Sequence, residues 1–189
     1  MMKRFPLNLM LAAGLLVAGT AMASATTPSS TPAPTQDAQI AAKTIHEIRM
    51  YPWYTIWDNI NVRVHDGDVE LTGQVSQPIK KPDMARLAQH VAGVRSVTNN
   101  LEVLPTSMFD DRLRLQVARA IFRDPVLSRY AIEPIPSIHI IVDIGHVTLE
   151  GVVNNPMEKN VAGIRAGSAG LSFGHVTNNL RVENPSKKG

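Results

Sequence analysis

The 189-residue chain contains no cysteine, which excludes disulfide bonds and a lipid-modified cysteine anchor. It also has little excess charge, because 19 lysine and arginine residues stand against 16 aspartate and glutamate residues, interspersed along the chain. That balance argues against a nucleic-acid-binding protein, whose basic residues cluster on one face. No HExxH motif, serine nucleophile elbow or phosphate-binding glycine loop occurs either. We therefore expect no catalytic residue, no metal site, no cofactor and no small-molecule substrate.

The apolar run at residues 7–17 is too short to cross a bilayer, which takes about 20 residues. Lys3 and Arg4 precede this run, and small residues suited to a cleavage site follow it. The pattern predicts a cleavable signal peptide over residues 1–23, and export to the periplasm as a protein that is not a lipoprotein. Residues 24–36 are dominated by threonine, serine and proline, which predicts a disordered tether.

The sequence VTNNL occurs twice, at residues 97–101 and 176–180. Upstream of it, VHDGDVELTGQVSQP (residues 64–78) matches VDIGHVTLEGVVNNP (residues 142–156) in valines, glycines, a leucine and a proline. Matches that keep their order over most of the chain indicate a duplication. The boundaries predicted from these matches are residues 37–105 for the first module, 106–184 for the second and 185–189 for a disordered tail.

Each module begins with apolar residues at helical spacing, which predicts a first helix. Asp37 is placed to cap this helix in the first module, and Asp110 or Asp111 in the second. A second helix should follow Pro82. Its counterpart in the second module contains several glycines, each of which costs up to about 1 kcal/mol relative to alanine. We therefore expect that helix to be shorter or looser, and the loop GSAGLSFGH after it to be more mobile.

Apolar and polar residues alternate on both sides of turns at Gly67 and Gly145, which predicts a β-hairpin in each module. Gly73 and Gly151 take apolar positions in the second strand, where a missing side chain indicates a bulge or a closely packed helix. VTNNL then predicts a closing strand, parallel to its neighbour through a right-handed crossover. The predicted fold is α+β, with two tandem modules of helix-strand-strand-helix-strand, each a three-stranded mixed sheet covered on one face by two helices.

Within the closing strands, Asn99 and Asn178 share a face with the buried valine and leucine side chains. We predict that both bind backbone at the sheet edge rather than a ligand, and that Asn100 and Asn179 face outward. Asn99, Asn178 and the four glycines of the hairpins are therefore interpreted as a structural signature of the fold.

Two motifs recur in both modules: DGDVELTG at residues 66–73 with VTNNLEV at 97–103, and IGHVTLEG at 144–151 with VTNNLRV at 176–182. They resemble the motifs of the BON family (bacterial OsmY and nodulation), and the resemblance covers nearly all of the chain after the tether. It implies an exported envelope protein without catalytic residues, associated with osmotic or envelope stress and with phospholipid surfaces, and in some members with chaperone-like protection. The second module departs from the pattern at Ile144.

Both tryptophans, Trp53 and Trp57, lie in the segment MYPWYTIW at residues 50–57. Such a dense group of aromatic residues is a candidate contact with a bilayer interface or with the groove of a partner. The alternative, which we favour, is that the segment seals the first core or the junction between the modules.

A small basic group, Lys80, Lys81 and Arg86, lies at the start of the second helix. It is a candidate contact for anionic lipid headgroups, at about 1 kcal/mol per charge near the surface. The alternative, which we favour, is ordinary solvation. Leu171 and Phe173, on the glycine-rich loop of the second module, are the remaining candidate contacts with lipid or an unfolded client.

The leading hypothesis from the sequence is a non-enzymatic periplasmic stress protein that binds phospholipid surfaces or exposed apolar segments of exported proteins. Two modules would raise the effective concentration of a second weak contact. The alternative is a scaffold, or a module for a specific protein partner in the cell envelope. Neither hypothesis involves nucleic acid.

Overall fold

A computed structural model describes residues 35–133, 136–169 and 175–183. The predicted signal peptide, almost all of the predicted tether, the predicted tail, Leu171 and Phe173 lie outside these ranges. Both modules belong to one unit, Pro34–Gly189.

The first module contains two helices and three strands in the predicted order. They are α1 (Gln36–Arg49), β1 (Asn59–His65), β2 (Asp68–Val75), α2 (Lys80–Gln89) and β3 (Ser96–Val103). β1 pairs antiparallel with β2, and β2 pairs parallel with β3. Ile48 of α1 and Met84 of α2 are buried in one cluster with Leu71 of β2. Both helices therefore cover the same face of the sheet.

The second module repeats this order with two additions, a short 3-10 helix and a break in the closing strand. Its elements are α3 (Met108–Phe122), the 3-10 helix (Ser128–Ala131), β4 (Ile138–Asp143), β5 (His146–Val153), α4 (Pro156–Gly167), β6 (Val176–Asn178) and β7 (Arg181–Val182). β5 pairs antiparallel with β4 and parallel with both β6 and β7. The α+β fold of two tandem modules, predicted from the sequence, is confirmed.

The predicted caps of the first helices are wrong. Thr35 and Ser107 cap α1 and α3, because their hydroxyls accept from backbone amides three residues along. The Asp37 carboxylate instead accepts hydrogen bonds from the backbone amides at the hairpin turn, at 3.0 Å in the case of Gly67. Asp110 holds the turn of the second module in the same way, at 2.9 Å from the Gly145 amide. One carboxylate in each module therefore ties the first helix to the hairpin.

The expectation of a shorter second helix in the second module is also wrong, since α4 has 12 residues and α2 has 10. The N-terminus of α4 is stabilised because the Asn155 side chain caps it and Pro156 occupies the first turn. Gly163 is needed for packing, because a Cβ atom there would come within 2.9 Å of the Asn178 side-chain nitrogen. The helix tolerates this glycine because the tertiary contact offsets its low propensity.

Gly73 and Gly151 lie in extended second strands at φ of +111° and +114°. A Cβ atom at these positions would overlap the carbonyl oxygens of Asn59 and Ser137, which are at or next to the start of the preceding strand. The close neighbour is thus backbone at the start of the preceding strand, and not the packed helix that the sequence suggested. The strand pairing runs through both glycines in unbroken register, so the alternative of a bulge is also not observed.

Candidate functional site

The aromatic segment joins the two modules. Tyr51 and Tyr54 pack against the first core, whereas Ile56 and Trp57 pack against the second core. The Ile140 amide of β4 donates to the Ile56 carbonyl at 2.7 Å. Trp57 is half-buried and packs at the junction between the modules.

Trp53 is the one tryptophan left at the surface. Its side chain is 57% exposed and meets the Tyr51 ring edge-on, with the two ring centroids 6.3 Å apart. Tyr51 is in turn fixed by a 2.6 Å hydrogen bond from its hydroxyl to Asp83, which together with burial raises the pKa of Tyr51 to about 12.

The junction also buries a histidine of the second module. His139 is 7% exposed, and its ring centroid lies 5.6 Å from that of Tyr54. Burial lowers the pKa of His139, although the backbone carbonyls of Asp58 and Thr55 act in the opposite direction. The ring is therefore neutral at pH 7, and its Nδ1 atom has no hydrogen-bond partner within the described residues.

The basic residues at the start of α2 do not form a patch of free charge. Lys80, only 2% exposed, is unavailable to lipid, because its ammonium donates to Asp58 at 2.7 Å and to the Ser76 hydroxyl at 2.8 Å. Arg86 is exposed but forms an ion pair with Asp83 at 3.1 Å. Lys81 is half-buried, which leaves it as the one member of the group without a carboxylate partner in the described chain.

The position of Lys80 is occupied by an acid in the second module. Glu158, 3% exposed, accepts hydrogen bonds from the Tyr130 hydroxyl at 2.6 Å and from Arg129. Burial alone would raise the pKa of Glu158, but these donors and the Asn154 amide hold it below its usual value. At this position each module therefore has a buried charged side chain in an ion pair, with a base in the first module and an acid in the second. Lys80 pairs with a buried partner and Glu158 with a half-exposed one, and both pairs are structural.

The asparagines of the closing strands bind backbone of the second helix. The amide nitrogens of Asn99 and Asn178 donate to the carbonyls of Lys81 and Lys159, both at 2.7 Å. Asn100 and Asn179 are exposed and donate to glutamates on the neighbouring strand. All four asparagines are thus occupied within the fold rather than available to a ligand.

Three exposed apolar side chains lie at one end of the second module. Met108 is 83% exposed, Phe109 64% and Ile144 78%. A Cβ atom at Gly145 would lie 3.5 Å from the Phe109 ring, so the start of α3 adjoins the hairpin turn. We name Met108, Phe109 and Ile144 the apolar tip.

The first module has no apolar tip. The matching residues are Thr35, Gln36 and Asp66, because Asp37 and Asp110, which follow them at the helix start, make the same contact with the turn. The sequence shows that Ile144 replaces Asp66, but it does not show that Ile144 lies beside the start of α3. The available signal was an isoleucine next to glycine in a hairpin turn that requires positive φ.

None of the helices in the described ranges is long and apolar enough to cross a membrane. Those ranges also hold no group of three or more histidine, aspartate or glutamate side chains placed to bind a metal ion.

The BON domain family matches residues 36–105 and 109–184, once in each module. The chain therefore belongs to the BON family. This family is non-enzymatic, and membership indicates an envelope-associated protein with a phospholipid-binding role. No curated protein matches the chain.

Two solved structures are similar to the chain at low identity. CdsD, a structural protein of the type III secretion system of Chlamydia trachomatis, is 16% identical, with 80% of this chain and 95% of that chain covered and a TM-score of 0.28. The C-terminal domain of CdsD is 13% identical, with coverages of 78% and 99% and the same TM-score of 0.28. At these TM-scores, neither structure bears on the function of this chain.

Proposed function

We propose that this protein binds the surface of anionic phospholipid membranes in the cell envelope, without catalysing a reaction, and that the apolar tip makes the contact. The observation that carries the proposal is the exposure of Met108, Phe109 and Ile144 at one end of the second module. A role in protection under osmotic or envelope stress is what the family implies for such a protein.

The apolar tip includes a residue in a strained backbone conformation, and the fold does not require an apolar side chain there. Ile144 has a φ of +47°, in the left-handed region that a β-branched residue rarely occupies. The strain is about 1–2 kcal/mol, and the exposed side chain regains none of it through burial. Residues held in such conformations are concentrated at sites of function. Insertion into a bilayer interface would bury these side chains and offset the strain.

A basic residue stands beside the apolar tip. Arg112 lies on α3 one turn after Met108, is exposed, and forms no ion pair among the residues that the structure describes. A basic side chain near an anionic surface contributes about 1 kcal/mol. Apolar side chains flanked by an unpaired arginine would interact more favourably with the interface of an anionic bilayer than with water.

The test is co-sedimentation of residues 24–189 with vesicles at low salt. Vesicles of phosphatidylethanolamine and phosphatidylglycerol should bind the protein, and vesicles of phosphatidylcholine alone should bind it less. Ile144→Asp and Phe109→Gln install residues of the first module at the apolar tip. Each should weaken binding about tenfold, the equivalent of roughly 1.4 kcal/mol.

Ile132→Asp is the matched control, because Ile132 is 83% exposed but lies outside the apolar tip. Absence of binding to phosphatidylglycerol vesicles would refute the proposal, as would equal losses in Ile144→Asp and Ile132→Asp. A protein that ignores vesicles but suppresses the aggregation of a denatured client through Ile144 and Phe109 would support the alternative, recognition of exposed apolar segments of exported proteins.

A further inference from the structure

A cleft of about 690 Å³ lies between the two modules. The first module contributes Tyr54 and residues of α1, β1 and β2, and the second contributes residues at or just before the start of β4, in β5 and in β7. Ligand sites of small organic molecules commonly have volumes of 300–1,000 Å³. We name this space the inter-module cleft, and neither module could form it alone.

The charge of the inter-module cleft has one sign. Arg49, Arg63 and Arg181 line it, and no aspartate or glutamate does. None of the three forms an ion pair in the described part of the chain. Arg86, Arg95, Arg114, Arg129 and Arg165, by contrast, each form an ion pair with a carboxylate. A concave site lined by one sign of charge concentrates counter-ions of the opposite sign.

Neutral polar groups stand among the arginines. Asn59, Asn61, Thr72 and Ser137 line the inter-module cleft. Amide and hydroxyl side chains can both donate hydrogen bonds to an anion. These groups add hydrogen-bond donors to a site that already offers three guanidinium forks.

Another part of the wall is apolar. Ile45, Ile60 and Val62 line the side of the first module, and Val152 lines the side of the second. A ligand that matches both parts carries an anionic group for the arginines and a less polar portion for the aliphatic side chains. Phosphate suits several guanidinium groups better than a single carboxylate does, because it offers more acceptor oxygens.

We propose that the inter-module cleft binds a phosphate-bearing anion, held by Arg49, Arg63 and Arg181. The chemistry is shared by a free phosphorylated solute and by the headgroup of a phospholipid. This site is separate from the apolar tip and does not rest on membrane binding by that surface.

Titration of residues 24–189 followed by amide NMR tests the site. The probes are inorganic phosphate, dihexanoylphosphatidylglycerol below its micelle concentration, and dihexanoylphosphatidylcholine as the zwitterionic comparison. Saturable shifts are expected at the amides of Asn61, His139 and Gly151, which line the cleft. The double variant Arg63→Gln/Arg181→Gln should weaken binding at least tenfold, since charge-assisted hydrogen bonds are the strong ones.

Arg119→Gln/Arg123→Gln is the matched control, because it removes the same charge from exposed residues of α3 and its cap that do not line the cleft. It should change affinity less than twofold. Saturation by inorganic phosphate identifies a free anion as ligand, and saturation by the phosphatidylglycerol alone identifies a headgroup. Either result supports the site if the cleft variant is selectively impaired.

Equal weakening by the two double variants would overturn the proposal, since it would show a response to net charge alone. Absence of saturable shifts with both anionic probes would overturn it as well. Ile144→Asp should leave anion binding unchanged. Loss of vesicle binding in that variant together with retained anion binding would separate the apolar tip from the inter-module cleft.

Discussion

Ile144 is the residue at which the two copies of the hairpin turn differ most in chemistry. The backbone of both turns is nearly the same, with φ of +49° at Asp66 and +47° at Ile144. Aspartate suits this conformation, and isoleucine does not, because its branched Cβ crowds the backbone. The turn survives in the second module because Asp110 accepts hydrogen bonds from the amides of Ile144 and Gly145.

Ile144→Asp should therefore stabilise the second module by about 1 kcal/mol while it weakens vesicle binding. The reciprocal change, Asp66→Ile, should destabilise the first module by a similar amount. Urea unfolding at pH 7 measures both effects. If Ile144→Asp leaves the free energy of unfolding unchanged, the strain assigned to this residue is absent.

The second helices of the modules show how one element can be fixed by opposite charges. α2 starts with Lys80 paired to Asp58, and α4 carries Glu158 paired to Arg129. An acid in the first turn interacts favourably with the helix dipole, whereas a lysine there does not. Lys80 is therefore held by its buried partner rather than by the helix. Burial alone would raise the pKa of Asp58, but Lys80 and Ser76 hold it below its usual value.

Lys80→Met should destabilise the protein by about 3 kcal/mol at pH 7, because Asp58 stays buried without its counter-charge. The low pKa of Asp58 means that the wild-type pair contributes stability above the ordinary carboxyl pKa of about 4 and loses it as the pH falls further. In the variant, Asp58 takes up a proton more easily. The difference in the free energy of unfolding between wild type and Lys80→Met should therefore become smaller as the pH falls from 7 to 4.

Urea unfolding at several pH values tests this, with Asp58→Asn/Lys80→Met as the control that removes both charges. That double variant should recover part of the stability at pH 7. If Lys80→Met lowers the free energy of unfolding by the same amount at every pH, the loss of stability does not come from the unpaired carboxylate of Asp58.

At the scale of the whole molecule, the two modules share a junction rather than a flexible linker. Trp57, which precedes β1 of the first module, packs against the core of the second module. The Ile56 carbonyl accepts the Ile140 amide of β4. The local stability of β4, in the second module, should therefore depend on Trp57, which belongs to the first module.

Trp57→Ala should destabilise the second module by about 1–3 kcal/mol and increase the exchange rate of the Ile140 amide. Hydrogen exchange by NMR on residues 24–189 measures this at single residues. Trp53→Ala is the control, since Trp53 is 57% exposed. Unchanged protection of Ile140 in Trp57→Ala would show that the modules are energetically independent.

The repeated motifs and their periodicity determined the module count, the order of elements and the mixed sheet, because alternation and helical spacing are local properties of a chain. The sequence also pointed to Asn99 and Asn178 as structural residues. The tertiary structure alone decided that Asp37 holds a turn 30 residues away and that Lys80 is buried against Asp58. It alone brought Arg49, Arg63 and Arg181 to one cleft. Each of these depends on groups far apart in the chain. The burial of Lys80 exists only once the first module has folded, and the cleft exists only once both modules are packed together.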